Sequence, residues 1–152
     1  YFTISAWIRS QTSAVSDAIV SKWGDGNANW QLILADADAT QLQCGVAGGL
    51  TYGATPAGSH ENGIWEHWVC VFDGTQTGDA NRLKIYKNGV SQSLTFGAAI
   101  PATTISNTDI VTIGANPLTS TPDYFTGFID DVRIYSRAFL ASEITQLYNA
   151  GR

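Results

Sequence analysis

Short stretches in which apolar and polar residues alternate, separated by turn-forming residues, dominate the sequence and restrict the folds open to it. In the first stretch, residues 2–8, the even positions are all apolar, so one face of an extended chain would be buried. About nine such strands are predicted, at 2–8, 18–23, 30–35, 41–47, 65–73, 83–90 (two strands), 110–114 and 125–135. This spacing predicts an all-β sandwich of two antiparallel sheets.

Two local signals complete the predicted topology. Asn88-Gly89 lies between two of the strands and favours a type I′ hairpin, which needs two positive φ angles. Residues 141–149 are the helical candidate, because Ile144, Leu147 and Tyr148 share one helix face and Gly151 suits the position after the helix. A helix this short is unstable alone and must dock on the sandwich.

Composition limits the class of protein. The 152 residues fit one domain, and 44% hydrophobic against 14% charged residues excludes a disordered chain. A net charge of −5 with eight scattered Lys and Arg argues against nucleic acid as a partner. No apolar run approaches the roughly 18 residues of a membrane span, so none is predicted.

Four motifs, in the same order, resemble those of bacterial laminin G-like jelly-roll domains. They are Phe2-Thr3-Ile4-Ser5-Ala6-Trp7-Ile8, Trp65 to Gly74, Leu83 to Gly89, and Gly127 to Gly151. The resemblance implies a concanavalin A-like jelly roll with one short C-terminal helix, lacking the strand that normally precedes the first motif. It also implies a secreted or cell-surface module that binds a glycan or an extracellular protein. The alternative is a self-associating structural building block.

The acidic residues and histidines predict that the protein is not an enzyme. Glycanases of this superfamily present two carboxylates on alternate positions of one strand. The three glutamates, Glu61, Glu66 and Glu143, show no such arrangement. His60 is predicted to be a plain loop residue and His67 to point outward from its strand, so neither indicates a metal site or a catalytic triad.

The two cysteines are both predicted to face the core. Cys44 shares one face of its strand with Leu42, and Cys70 shares one face with Trp68 and Phe72. If their strands are neighbours, the thiols can form a disulfide. If not, they are inert buried thiols. The sequence leaves both alternatives open.

If every connection reverses the chain, the loops collect at two ends of the sandwich. One end is predicted to carry amide and aromatic side chains suited to a glycan or partner, the alternative being that they only form turns. These residues are Asp25, Asn27, Asn29, Tyr52, His60, Asn62, Asp123 and Tyr124. The other end is predicted to carry acidic residues, either as Ca²⁺ ligands or as solvated surface groups. They are Asp17, Asp36, Asp38, Asp79 and Asp109.

Asp130 is a separate metal candidate. The family resemblance implies that it is a ligand of a structural Ca²⁺. Alternation places it on one side of its strand with Phe128, Val132 and Ile134, so it is predicted to be partly buried and to need a partner. An arginine or backbone amides are the alternative to a metal.

Overall fold

The computed structural model contains two antiparallel sheets, a two-stranded ribbon and two helices, and it describes residues 1–11, 17–23, 29–35, 40–49, 51–106, 108–116 and 123–151. The elements are β1 (Phe2–Ser10), β2 (Asp17–Lys22), β3 (Trp30–Ala35), β4 (Gln41–Val46), β5 (Tyr52–Ala54), β6 (Glu66–Phe72), α1 (Asp79–Arg82), β7 (Leu83–Lys87), β8 (Val90–Ser91), β9 (Thr95–Phe96), β10 (Thr112–Ile113), β11 (Ala115–Asn116), β12 (Asp123–Tyr124), β13 (Gly127–Tyr135) and α2 (Ala141–Ala150).

The two main sheets form the sandwich. The five-stranded sheet has the order β13-β1-β6-β7-β8, and the six-stranded sheet has the order β10-β2-β3-β4-β5-β9. Strands β11 and β12 pair separately. The predicted all-β, two-sheet architecture with a short C-terminal helix is therefore confirmed.

The core lies between the inner faces of the sheets and follows the alternation in the sequence. Ile4, Ala6 and Ile8 of β1 are fully buried against apolar residues of the six-stranded sheet. Cys44 of β4 and Cys70 of β6 form a disulfide across this core, so the alternative of free thiols does not apply.

The outer face of the five-stranded sheet is also covered. Ile144 of α2 packs on Val69, Val71 and Tyr86. Thr3 Oγ1 fastens the chain leading to the helix, because it donates to the Arg137 carbonyl (2.8 Å) and accepts from the Phe139 amide (3.0 Å). The predicted docking of α2 is confirmed, and it explains why polar residues on the outer face of β1 are buried.

The predicted hairpin joins β7 to β8. Asn88 and Gly89 have φ angles of 50° and 80°, the two positive values that a type I′ turn requires. Asn88 Oδ1 also accepts a hydrogen bond from the His67 amide (2.8 Å), which fixes the turn to β6.

A β-bulge interrupts β13 at Asp131, whose φ is 48°. Ser5 pairs with Arg133 but Trp7 pairs with Asp130, so β13 carries an extra residue between these pairs. The prediction that Asp130 is partly buried beside Phe128 and Val132 is wrong. Val132 packs against the core while Asp130 and Phe128 are exposed, because the bulge breaks the alternation.

The predicted sorting of loops between the two ends is also wrong. The short strand β5 was not predicted, and it reverses the chain once more, so residues 55–65 lie at the end that contains Ser10 and Thr40. Two backbone hydrogen bonds establish this: His60 N to Thr40 O (2.9 Å) and Gly63 N to Ser10 O (2.8 Å). We call this the Ser10 end and the other the Asp73 end.

Candidate functional site

Glu66 is a charged residue whose side chain is fully buried, at the start of β6. His60 Nδ1 lies 2.5 Å from Oε2, and Lys87 Nζ lies 2.6 Å from Oε1. Trp68 Nε1 donates to Oε2 (3.0 Å), and the Glu61 amide approaches Oε1 (3.3 Å). Glu66 thus has the hydrogen-bond partners that a buried carboxylate requires.

Burial by itself raises the pKa of Glu66, but hydrogen bonds from His60 and Lys87 and the charge of His60 outweigh it. The pKa is therefore lowered from its ordinary 4.5, and the carboxylate is ionised at neutral pH. The network joins the 55–65 loop to β6 and β7, since Lys87 Nζ also donates to the Ser59 carbonyl (2.5 Å).

Ser10, His60 and Glu66 are arranged in the order of a hydrolase triad, with Ser10 Oγ 2.6 Å from His60 Nε2. Ser10 is fully buried, however, and its hydroxyl also bonds Asn62 Oδ1. A nucleophile must be accessible to its substrate. We therefore interpret these contacts as hydrogen bonds that hold the 55–65 loop against β1. The interpretation of His60 as a plain loop residue is wrong, since only 4% of it is exposed.

A second group of residues lines an open cleft of 320 Å³ on the outer side of the five-stranded sheet. The lining residues are Trp7, Trp65, Asp130, Asp131 and Gly151, and we call the site the aromatic-acid cleft. Its volume lies within the range of small-ligand sites, which begins at roughly 300 Å³.

The aromatic wall of the cleft consists of Trp65, whose ring is exposed, and Trp7, whose ring is packed against other rings. Trp65 is 42% exposed immediately before β6, and its ring lies 6.4 Å from that of the exposed Phe128. Trp7 is held by the rings of His67 (5.2 Å) and Tyr148 (5.7 Å). Trp65 therefore offers an accessible apolar face, while Trp7 forms a rigid boundary.

The acidic wall is built by the bulge in β13. Asp130 Oδ1 accepts from the Asp131 amide (2.7 Å), and Asp131 Oδ1 accepts from Arg133 Nε (2.7 Å). The Oδ2 atoms of Asp130 and Asp131 accept no hydrogen bond from the described residues. Each carboxylate thus keeps one oxygen available to a ligand.

Gly151 closes the cleft at the end of α2. A β-carbon at this position would lie 2.5 Å from Trp7 Nε1, closer than such atoms approach. The φ of Gly151 is −95°, which other residues adopt readily, so the need for glycine comes from the contact with Trp7.

The structure does not bring the predicted amide and aromatic residues together. Asn29 lies at the Asp73 end, where it bonds Lys22 and Ala47, and Tyr52 pairs with Gly45 on the same side. His60, Asn62 and the exposed Tyr124 belong to the opposite end. Asp25 and Asn27, and the side chain of Asp123, lie outside the described residues. The single ligand rim predicted from the sequence is therefore wrong, although the role of each residue stays a prediction.

The predicted acidic end is divided in the same way. Asp17 is buried at the start of β2, near the Ser10 end, whereas Asp79 Oδ1 accepts from the Ile100 amide at the Asp73 end. Asp109 precedes β10, and Asp36 and Asp38 are not among the described residues. Within the described ranges, no three His, Cys, Asp or Glu side chains are placed to hold a metal ion. Calcium, at Asp130 or elsewhere, stays a prediction.

Sequence reasoning missed Glu66, Trp7, Trp65 and Gly151. A signal for Glu66 was present, because Glu66 falls on the same face of its strand as Trp68 and Cys70 and so had to be buried with partners. No local signal connects Trp7, Trp65 and Gly151, which meet only through strand pairing and helix docking.

Residues 1–145 match a family model described as the concanavalin A-like lectin/glucanases superfamily. The chain belongs to this superfamily. The resemblance that the sequence motifs indicated is thus confirmed, and the fold is the lectin-like jelly roll of this superfamily. No curated protein sequence matches the chain. The described part of the chain contains no helix with the length and apolar character needed to cross a membrane.

Several solved structures share the superfamily fold at low sequence identity. A heptameric SAP-like pentraxin from Limulus polyphemus has a TM-score of 0.74 at 17% identity, over 97% of this chain and 69% of that one. A Bacteroides ovatus protein provisionally described as carbohydrate-binding has a TM-score of 0.73 at 21% identity, and the match covers 95% of this chain and 40% of that one. Domain 4 of a Geobacillus stearothermophilus extracellular GH43 arabinanase, solved with arabinotriose, has a TM-score of 0.64 at 19% identity. The match covers 97% of this chain and 66% of that one.

Proposed function

We propose that the chain is a non-catalytic carbohydrate-binding module that acts outside the cell and holds its glycan in the aromatic-acid cleft. The observation that carries the proposal is the exposed indole of Trp65 beside two carboxylates that each keep one oxygen available. Flat apolar surface beside a few placed polar groups is the usual composition of a small-ligand site.

The chemistry of a sugar fits both walls. One face of a pyranose or furanose ring presents C–H groups, which can pack on the indole of Trp65. Its hydroxyls donate hydrogen bonds, and a carboxylate is a strong acceptor for them. Asp130 and Asp131 lie at the bulge of β13, a strand that is paired with β1. The backbone positions of both residues are therefore set by strand pairing before a ligand binds.

The cleft lacks the layout of a glycosidase. Most glycosidases place two carboxyl groups on opposite sides of the scissile bond. Asp130 and Asp131 are neighbours on one strand, and the other lining residues are two tryptophans and a glycine. Binding without bond cleavage is the function that this lining supports.

The disulfide between Cys44 and Cys70 supports an extracellular location. Structural disulfides persist in oxidising compartments and are rare in the cytosol, where thiols are kept reduced. The bond joins two fully buried residues of the core.

The deciding experiment removes the accessible ring. Trp65→Ala is expected to weaken binding at least about tenfold, because a central tryptophan commonly contributes more than 1 kcal/mol to a binding site. Wild-type protein is first screened on a glycan array, and the strongest glycans are then titrated calorimetrically against both proteins. Circular dichroism checks that the variant is folded.

Tyr1→Ala is the matched control. Tyr1 is 67% exposed at the Asp73 end, so this variant loses an exposed aromatic ring away from the cleft and should bind like wild type. Equal affinity of Trp65→Ala and wild type, or the absence of any bound glycan on the array, would contradict the proposal.

A structural building block is the second candidate function. Ile113 of β10 is exposed, as are Ile110 and Val111 just before it, and β10 is an edge strand of the six-stranded sheet. Such an apolar edge is a template for pairing with another chain. Large particles in light scattering, together with no glycan binding, would favour this function.

A further inference from the structure

From the charges of the aromatic-acid cleft we infer that the module selects neutral glycans and rejects those that carry carboxylate or sulfate groups. This inference rests on the proposed function and adds the ligand class to it. The charged residues of the cleft lining are Asp130 and Asp131, and both are acidic.

The nearby arginines compensate this charge only in part. Arg133 Nε is bound to Asp131, so it offsets one of the two carboxylates. Arg9 Nε is bound to the Gly63 carbonyl, and Arg9 is not one of the residues that line the cleft. Asp130 accepts its hydrogen bond from a neutral backbone amide and forms no salt bridge with the described residues, so no bound cation offsets its carboxylate. The cleft thus retains a negative charge on one wall, on a protein whose net charge is −5.

Hydrogen-bond chemistry acts in the same direction. An ionised carboxylate only accepts hydrogen bonds, and a sugar hydroxyl can donate one. A uronate, sialic acid or sulfate group presents acceptor oxygens of like charge instead, which leaves both partners unpaired. At separations of a few ångström near a surface, the repulsion reaches the size that changes affinity about tenfold.

The experiment compares matched neutral and acidic ligands. Galactotetraose is paired with tetragalacturonic acid, and lactose with 3′-sialyllactose; an array extends the pairs to other neutral glycans and their acidic or sulfated counterparts. Wild type is expected to bind the neutral member of each recognised pair at least about tenfold tighter at about 0.05 M salt. The preference should shrink at about 1 M salt, where charges are screened beyond about 3 Å.

Two variants locate the source of the preference. Asp130→Asn removes the uncompensated charge and keeps the side-chain oxygen that binds the Asp131 amide, so the neutral-to-acidic ratio should fall severalfold toward unity. Asp73→Asn makes the same charge change at the opposite end of β6, where the side chain serves a local turn. It should keep the wild-type ratio.

The outcomes separate this inference from the proposed function. Binding of acidic glycans as strong as, or stronger than, that of their neutral counterparts would overturn the ligand class and leave glycan binding intact. A ratio that Asp130→Asn does not change would also overturn it. Failure of every glycan to bind, neutral or acidic, would overturn the proposed function and the inference together.

Discussion

His67 occupies an outer position of β6, as predicted, yet only 1% of its surface is exposed. The rings of Trp7 and Tyr148 cover it, and its Nδ1 has no hydrogen-bond partner among the described residues. Burial disfavours the charged imidazolium, and the charge of Arg133 adds to this effect, so the pKa of His67 falls from 6.5 to about 4. The nearby Asp131 opposes the shift only in part.

The lowered pKa of His67 predicts a pH dependence of stability. The unfolded chain takes up this proton near pH 6.5 and the folded protein only near pH 4, so the free energy of unfolding falls as the pH decreases between these values. The free energy of unfolding that the neutral His67 contributes is on the order of 3 kcal/mol. This contribution is fully present above pH 6.5 and is lost as the pH falls toward 4. Urea unfolding at pH 7.0, 5.5 and about 4.5 measures it.

His67→Phe is the control for this pH dependence. Phenylalanine preserves the ring contacts with Trp7 and Tyr148, has no titrating group and leaves no ring nitrogen unpaired. The variant should lose less stability than wild type between pH 6.5 and 4.5. Parallel stability curves for the two proteins would show that His67 is not the group responsible. The window ends at 4.5 because Glu66, whose pKa is lowered from that value, contributes stability that is lost at lower pH.

Among the elements, α2 begins without a side-chain cap. Leu140 occupies the N-cap position with extended backbone angles (φ −75°, ψ 156°), and its side chain is 70% exposed. Glu143 Oε2 accepts the Leu140 amide (2.8 Å), which completes half of a capping box. A leucine side chain cannot accept the amides of the first turn, so the other half is missing.

Leu140→Ser is therefore expected to stabilise the protein by about 1 kcal/mol, because the serine hydroxyl can accept an amide of the first helical turn. Chemical denaturation measures the change. Leu140→Ala is the matched control, since it removes the same exposed apolar side chain and cannot cap. If the serine and alanine variants are equally stable, the gain does not come from capping.

The elements also show how far the sequence predicts this fold. The long strands β1 and β6 could be recognised for different reasons. In β1 the apolar residues alternate without interruption and pack in the core, whereas β6 is a largely apolar run that is buried on both faces. The three residues of β5 are too few to show a period, and missing it reversed the expected positions of the later loops. The bulge at Asp131 depends on pairing with β1, so the local pattern of β13 could not reveal it.

The cleft was less predictable than the fold for the same physical reason. The sequence singled out Asp130, but as a Ca²⁺ ligand and not as part of a cleft, because the family resemblance implies that role. Its neighbours in the cleft, Trp7, Trp65 and Gly151, come from three distant parts of the chain and meet on the outer face of one sheet. Sequence patterns report which face of a strand is buried and carry little information about which distant side chains share an exposed surface.

At the scale of the whole molecule, the two sheets are held together by the packed core and by one covalent bond. Cys44 lies on the six-stranded sheet and Cys70 on the five-stranded sheet, at a sequence separation of 26 residues. The disulfide closes a loop that would otherwise be free in the unfolded chain. The aromatic-acid cleft lies on the outer side of the five-stranded sheet, so the bond can affect stability without touching the proposed ligand site.

The variant C44A/C70A is expected to lose about 3 kcal/mol of unfolding free energy, because a closed loop of this length lowers the entropy of the unfolded chain by about that amount. Glycan affinity at 25 °C should be unchanged while the variant remains folded, since the cleft residues keep their own contacts. Denaturation with and without dithiothreitol provides the control: the reductant should lower the stability of wild type and leave the variant unaffected. Equal stability of the variant and oxidised wild type would mean that core packing alone holds the two sheets together.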